Sequence, residues 1–340
     1  MKVTILGIDL AKNVFRLHGV DAEGRPVLRK QLRRAQLLPF MRQLTPCLVG
    51  LEACHSAHYW GRELEKLGHV VRLMNPRFIK PYLKGEKNDA NDAAAICEAV
   101  SRPSMRFVPV KNPAQQDIQA LHRVREQLIR NRTALVNQAR GLLGENGIVV
   151  AQGIGRLRQA LPSLLEDPDN RLSGLFREML GEMAERLRWL DDRCRRYEQR
   201  IEQLFRTDER AQRLGQIEGV GPFAATALLA AVGNAREFKS GRELAAWLGL
   251  VPRQHSSGGR NVLLGISKRG DRYLRTLLIH GARSALRVAE RRRDQRSIWA
   301  CRLKLRRGPN VAAVALANKN VRVMWAMLTR GEDYRRPAAA

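Results

Sequence analysis

The sequence predicts an α/β domain at the N-terminus, a helical coiled-coil connector and an all-helical C-terminal domain. Three observations carry this. Short apolar runs alternate with turn signals and helical stretches up to about residue 110. Leucines then recur at heptad spacing, and a second helical region runs on from about 208. The 340 residues suffice for two or three domains with separate cores. The boundaries are placed at 1–110, 111–207 and 208–330, with 331–340 a disordered tail ending Arg-Arg-Pro-Ala-Ala-Ala.

Residues 3–8, Val-Thr-Ile-Leu-Gly-Ile, form an unbroken apolar run and read as a buried strand. The alternation over 14–20 is looser. The turn Asp21-Ala-Glu-Gly24 then leads to a third strand near 26–32, which makes a hairpin. A helix near 35–44 leads to the apolar run 47–51. A helix at 57–67 stops at Gly68, a normal C-terminal glycine. Residues 69–74 are a further strand, and Asn75-Pro76 opens the next helix. Asp89–Val100 is helical. Three antiparallel strands followed by α, β, α, β, α is the order of the RNase H-like nuclease fold.

In the connector, Leu121, Leu128, Leu135 and Leu142 recur every seven residues, with Arg123, Arg125, Arg130, Arg132 and Arg140 among them. After a loop rich in Gly and Pro (144–170), a cleaner seam appears. Phe176, Leu180, Met183, Leu187, Leu190, Cys194, Tyr197, Ile201 and Leu204 alternate at spacings of four and three. The spacing does not decide whether the two helices pair with each other or across subunits. Further on, Ile217-Glu-Gly-Val-Gly-Pro222 and the apolar helix after it resemble a helix-hairpin-helix element. Gly219 and Gly221 would let backbone amides approach a phosphate. A tight helix–helix turn without a ligand fits the same residues.

Lys and Arg total 61 against 33 acids, a formal charge of +28 and a pI near 11.2. The excess is spread along the chain, which excludes a basic tail on a neutral domain. Nucleic acid is the expected partner, ahead of an anionic membrane. No stretch reaches ~18 uninterrupted apolar residues. The opening MKVTILGIDLAKN reaches Asp9 too early for a signal peptide, so a cytoplasmic protein is expected. Cys47, Cys54, Cys97, Cys194 and Cys301 contain no Cys-x-x-Cys pair and read as reduced thiols. Cys54, His55 and His58 lie close together, but a turn and a helix start account for them.

Against so basic a background, four acids need a reason. Asp9 and Glu52 each end an apolar run, and Asp89 and Asp92 lie three apart at the start of one helix, on one face. Strand-end and helix-face carboxylates that converge would bind Mg²⁺, which takes oxygen ligands and bridges to phosphate. Singly they have other uses. A strand-end Asp is a turn residue, Asp89 suits an N-cap and Asp92 the first turn of a helix.

A second constellation runs from Val251-Pro-Arg-Gln-His-Ser-Ser-Gly-Gly-Arg260 to Gly265-Ile-Ser-Lys-Arg-Gly-Asp-Arg272. Arg253, Arg260, Lys268, Arg269 and Arg272 supply charge for a phosphate backbone. Gly258, Gly259 and Gly270 permit close approach in what reads as a flexible loop. Ser256, Ser257 and Ser267 lie among these cations. A hydroxyl in that setting can attack a phosphodiester, although most Ser-Gly loops are only loops.

The chain resembles DEDD transposases of the insertion-sequence family called "IS one-ten", in its "IS eleven-eleven" branch. The matching pieces are Gly7-Ile-Asp-Leu-Ala-Lys12, Leu51-Glu-Ala-Cys54, Lys87-Asn-Asp-Ala-Asn-Asp-Ala93, Gly219-Val-Gly-Pro222, Leu250-Val-Pro-Arg253, Ser257-Gly258 and Ile266-Ser-Lys-Arg-Gly270. Asp271 stands where relatives often have Asn. The resemblance implies a RuvC-like N-terminal domain whose tetrad is Asp9, Glu52, Asp89 and Asp92. It also implies a C-terminal transposase domain whose serine forms a covalent phosphoserine link to DNA. Ser257 best fits the family's Ser-Gly position, with Ser256 and Ser267 open. The partners implied are donor and target DNA, a structured non-coding guide RNA encoded by the element, and further copies of the chain up to a tetramer. The setting implied is the bacterial nucleoid. Two rivals fit the residues alone: a metal-only nuclease of Holliday-junction-resolvase type, and a non-catalytic nucleic-acid-binding protein whose carboxylates are caps.

Overall fold

The computed structural model describes residues 2–84 and 89–335, apart from the side chains of 89 and 90. Chain contacts divide it into two compact units, 1–114 and 115–340.

The first unit is an α/β domain. Its strands are β1 (Ile5–Leu10), β2 (Val14–Val20) and β3 (Pro26–Arg33), followed by helix α1 (Leu37–Gln43), β4 (Leu48–Glu52), α2 (Ala57–Glu65) and β5 (Val70–Met74). A short α3 (Pro76–Ile79), α4 (Asp89–Val100) and β6 (Phe107–Val108) complete it. The sheet order is β3-β2-β1-β4-β5-β6. β1 pairs antiparallel with β2 and parallel with β4; β5 is parallel to β4 and antiparallel to β6. The strand order expected from the sequence is therefore present, with β6 as an addition.

Side chains along a strand alternate between faces, and here the two faces are chemically different. Leu6, Ile8, Leu10, Val49, Leu51, Val71 and Leu73 point to one face, where α1 and α2 bury Leu37, Met41, Trp60 and Leu64 against them. Each such side chain taken from water contributes roughly 1.5–3 kcal/mol. The opposite face carries Gly7 and Gly50. A Cβ at Gly50 would lie 2.8 Å from Val100 Cβ, and one at Gly7 would collide with the backbone of Ala93 and Cys97. These glycines let α4 lie directly on the sheet, sealed by Met74, Ile96 and Val100.

The second unit is mostly helical. It holds α5 (Pro113–Glu145, whose first two residues belong to the first unit), α6 (Ile154–Glu166), α7 (Gly174–Thr207), α8 (Glu209–Gly215), α9 (Pro222–Val232) and α10 (Gly241–Trp247). Then come β7 (Pro252–Gln254), β8 (Leu263–Ile266), α11 (Arg272–Val288), α12 (Gln295–Arg307) and α13 (Pro309–Arg330). No described helix is long and apolar enough to cross a membrane.

The α7 seam is buried at Leu180, Leu187, Leu190, Cys194 and Ile201, as its spacing predicts. Its partners are in the same chain. Leu135, Val136, Ala139 and Leu143 of α5 and Leu157 and Leu161 of α6 share one core with it. Arg125 of α5 bonds Glu198 at 2.6 Å and Arg132 bonds Asp191 at 3.1 Å, so α5 and α7 run antiparallel.

Two expectations are corrected. The C-terminal region is not all-helical, because β7 and β8 pair antiparallel. Glycines with positive φ, and the few apolar side chains between 252 and 262, favour a turn and short strands over a helix there. The tail expected to be disordered over 331–340 is docked as far as Tyr334. Arg213 Nη1 donates to the Gly331 carbonyl at 2.8 Å, and the Tyr334 amide donates to Gln216 Oε1 at 2.8 Å. Tyr334 supplies the apolar anchor that composition alone does not reveal. Residues 336–340 lie outside the described residues.

Candidate active site and nucleic-acid interface

The strand register places Asp9 and Glu52 together at one end of the sheet. Ile8 is level with Leu51 across the parallel pair, so the next residues, Asp9 and Glu52, are level too. Each is two residues beyond a glycine that faces α4, and therefore lies on the α4 face. Both are half-buried. α4 runs against the strand direction: Cys97 Sγ reaches the Ile5 carbonyl, and Ala93 lies over Gly7. Asn91, in the first turn of α4, lines a cavity with Arg16, which is level with Asp9, so the turn that carries Asp89 and Asp92 lies on the Asp9 side of the sheet. Asp92 is half-buried, and the Asp89 side chain lies outside the described residues.

Sequence motifs give no sign of Arg16. It is directly opposite Asp9 on β2, so the two share a face, and its Nε is buried without a hydrogen-bond partner among the described residues. Only the pairing register reveals it. Beside it, His18, Arg29, Lys30 and Asn91 line a cavity of about 270 Å³. Burial, and then Arg29, lower the His18 pKa. His58 is accounted for structurally, since its Nδ1 accepts from the Lys111 amide at 3.2 Å.

The donor type fits a hard divalent cation, as carboxylate oxygens at strand ends suit Mg²⁺-class ions. Among the described residues, no three His, Cys, Asp or Glu side chains are gathered into a metal-binding cluster. Asp9, Glu52 and Asp92 alone therefore do not make a closed set.

The serine-bearing segment is a hairpin and not a loose loop. The Arg260 amide donates to the Ser257 carbonyl at 3.0 Å, with Gly258 at φ +54° and Gly259 at φ +79° between them. Two successive positive φ values give a type I′ turn, the turn that suits strand twist. Its tip is exposed throughout. Its base is held by backbone hydrogen bonds: Ser267 N donates to the Val251 carbonyl at 2.8 Å and Lys268 N to the Gly249 carbonyl at 3.2 Å. Asp271 then caps α11, accepting from Leu274 N at 3.0 Å.

The three serines differ. Ser256 Oγ accepts from the Val262 amide at 3.2 Å, and Ser267 Oγ from the Arg269 amide at 3.4 Å. Ser257 Oγ makes no hydrogen bond among the described residues. Arg253, Arg260, Lys268, Arg269 and Arg272 are exposed, and none has an ion pair among the described residues. Gly219 is explained by packing, since a Cβ there would strike the Gly281 carbonyl of α11, while Gly221 faces open space.

A polar network that no sequence motif marks links α5, α9 and α11. Thr226 Oγ1 donates to the Pro222 carbonyl at 2.7 Å and so accepts from His122 Nε2 at 3.0 Å. His122 Nδ1 then accepts from the Tyr273 hydroxyl at 2.9 Å. Burial, and then Arg125, push the His122 pKa down to about 4, consistent with a neutral ring. The network ties α5 and α9 to Tyr273, one residue into α11.

Residues 6–146 match a DEDD-type family model described as "Transposase", and residues 211–297 match one described as "Transposase IS116/IS110/IS902 family". Both parts of the chain thus match transposases, a class that acts on DNA. The chain belongs to the IS116/IS110/IS902 family of insertion-sequence transposases. It is 54% identical over 336 residues to a probable family 20 transposase of Pseudomonas aeruginosa, covering 98% of this chain and 99% of the relative. It is 45% identical over 333 residues to the transposase for insertion sequence element IS1111A of Coxiella burnetii, covering 98% and 92%. It is 40% identical over 332 residues to the transposase for IS1328 of Yersinia enterocolitica, covering 98% of each chain. DEDD transposases typically use a divalent metal.

Proposed function

We propose that the chain is an RNA-guided DNA recombinase that moves its own insertion sequence, working through a metal-binding tetrad and a serine nucleophile. The single observation that carries the serine assignment is Ser257: among three serines in the basic hairpin, it alone has a hydroxyl without a partner among the described residues.

In this reading the first unit is RuvC-like, and Asp9, Glu52, Asp89 and Asp92 hold Mg²⁺. The bound ion would make the scissile phosphorus more electrophilic. The chain's own groups do the rest. Arg253 and Arg260 hold the phosphate backbone beside the hairpin tip, with Lys268, Arg269 and Arg272 continuing the basic track, and Gly221 marks a further backbone contact, in a turn that Gly219 holds against α11. Ser257 Oγ forms a bond to phosphorus as the bond to the 3′ oxygen breaks. The serine proton is balanced by the one the freed 3′ hydroxyl acquires. The phosphoserine link keeps the bond energy, so religation needs no ATP. The work is divided among 1–110, 111–207 and 208–330, in a dimer or tetramer associated with the nucleoid. A guide RNA pairs with donor and target DNA.

A metal-dependent nuclease of Holliday-junction-resolvase type is the alternative. It is favoured by one observation: the carboxylates and the serine lie in separate compact units, and water attack requires only the first. The test is a denaturing gel with labelled DNA, then mass spectrometry of the linked peptide. Ser257→Ala is expected to bind DNA and RNA yet give no covalent adduct, while Ser256→Ala and Ser267→Ala retain some. An adduct mapped to Ser256 or Ser267 would move the assignment. Active wild-type protein that traps no adduct would establish the nuclease reading instead.

A further inference from the structure

A groove beside α13 gathers more positive than negative charge among the described residues. Lys319, Arg322 and Arg330 follow helical spacing along one stripe of α13. Arg242 joins them from the first turn of α10, and Arg296 from the first turn of α12. The groove encloses about 720 Å³, and six cations line it, Arg335 being the sixth, against two acids. Both acids are engaged. Glu332 pairs with Arg335 at 3.7 Å, and Asp333 Oδ1 accepts from Gln216 Nε2 at 3.1 Å.

Arg296 is the unusual member. It is only 6% exposed. Its guanidinium donates to the Tyr334 hydroxyl at 2.7 Å, the Asn320 side-chain oxygen and the Glu218 backbone carbonyl at 3.5 Å, all neutral. The Glu218 carboxylate is taken by Arg292. A buried cation with no carboxylate of its own is costly, and an arriving anion offsets that cost. Arg242, Lys319, Arg322 and Arg330 likewise have no ion pair among the described residues. Burial, then Arg296 and Arg322, lower the Lys319 pKa. Lys319 Nζ lies 4.5 Å from the centroid of Trp299, which is 37% exposed. The tail at 331–335 forms one wall of the groove.

We propose that this groove is a second nucleic-acid site, separate in its residues from the hairpin, which grips a phosphate backbone without reading sequence. The proposal rests on the family's action on DNA, and the test separates the two. Full-length protein carrying Arg242→Gln, Lys319→Gln, Arg322→Gln and Arg330→Gln is titrated onto a labelled duplex and a labelled single strand of arbitrary sequence across a salt series. Arg253→Gln with Arg260→Gln serves as the parallel hairpin variant. Neutralising the groove is expected to weaken binding about tenfold or more and to lower the slope of log K against log salt by about 0.9 for each phosphate the groove no longer holds. Wild-type affinity and slope in the groove variant, beside weaker binding in the hairpin variant, would overturn the groove and leave the DNA reading intact. Normal binding with a smaller sedimenting particle would also overturn it, because the groove would then receive a second copy of the chain. Failure of wild-type protein to bind either probe would sink both readings.

Discussion

At the scale of single residues, the N-terminal site depends on two glycines as much as on its acids. Gly7 and Gly50 bring α4 onto the sheet, and the acids two residues further along each strand inherit that proximity. Half-buried carboxylates in a chain of charge +28 repel phosphate unless a cation stands between. Asp9→Asn or Asp92→Asn is therefore expected to reduce DNA cleavage about 100-fold or more, on the scale of removing one electrostatic interaction from a catalytic site. Binding should persist or tighten, because a negative charge near phosphate is removed. Cleavage of a labelled substrate in Mg²⁺, measured beside binding by anisotropy, checks both. Full strand exchange by either variant would remove the metal-site reading. Asp9 and Glu52 are legible from sequence because an acid after an apolar run is conspicuous. Arg16 is not, because its place opposite Asp9 depends on which residues pair across the hairpin, and composition carries no register.

At the scale of elements, the long helices show what periodicity can and cannot say. Spacings of four and three along α7 correctly identify its buried stripe. They say nothing about the partner, since an apolar seam is satisfied by any complementary one. Here α5 and α6 of the same chain satisfy it. Leu187 and Leu190 are each 2% exposed within one protomer, which redirects the expected effect of changing them. Leu187→Asp with Leu190→Asp places two charges in a packed core and should destabilise the helical unit by at least about 3 kcal/mol. Thermal unfolding followed by circular dichroism should show a lower midpoint or loss of the folded unit, with any loss of assembly secondary. A particle that dissociates while its protomers keep the wild-type melting temperature would show that the seam works between chains after all. The hairpin is only half legible for a related reason. Gly258-Gly259 signals positive φ, but β7 and β8 are too short and exposed to leave an alternating pattern. The segment therefore reads as a loop until the bond from the Arg260 amide to the Ser257 carbonyl is seen.

At the scale of the whole molecule, charge is distributed over both units and over several separate surfaces within them. Basic groups line the cavity beside Arg16, the hairpin and the groove along α13. One short duplex engages one face, whereas a folded RNA together with DNA can engage many. These cations are suited to the phosphate backbone, which fixes position and carries no sequence information of its own. If the protein supplies grip and chemistry, sequence choice has to come from pairing, as it does in other guided systems. Changing only the pairing loop of the guide RNA is then expected to redirect insertion to the matching new target, with no change in the protein. Sequencing of insertion junctions from a reaction with purified protein, donor DNA and a mixed target library checks this. Binding in the same reactions should remain salt-sensitive and nearly the same for old and new targets when RNA is withheld, because the backbone contacts are unchanged. Purified protein that selects the original site without RNA would show that the chain itself reads sequence, and the guide reading would then have to be abandoned.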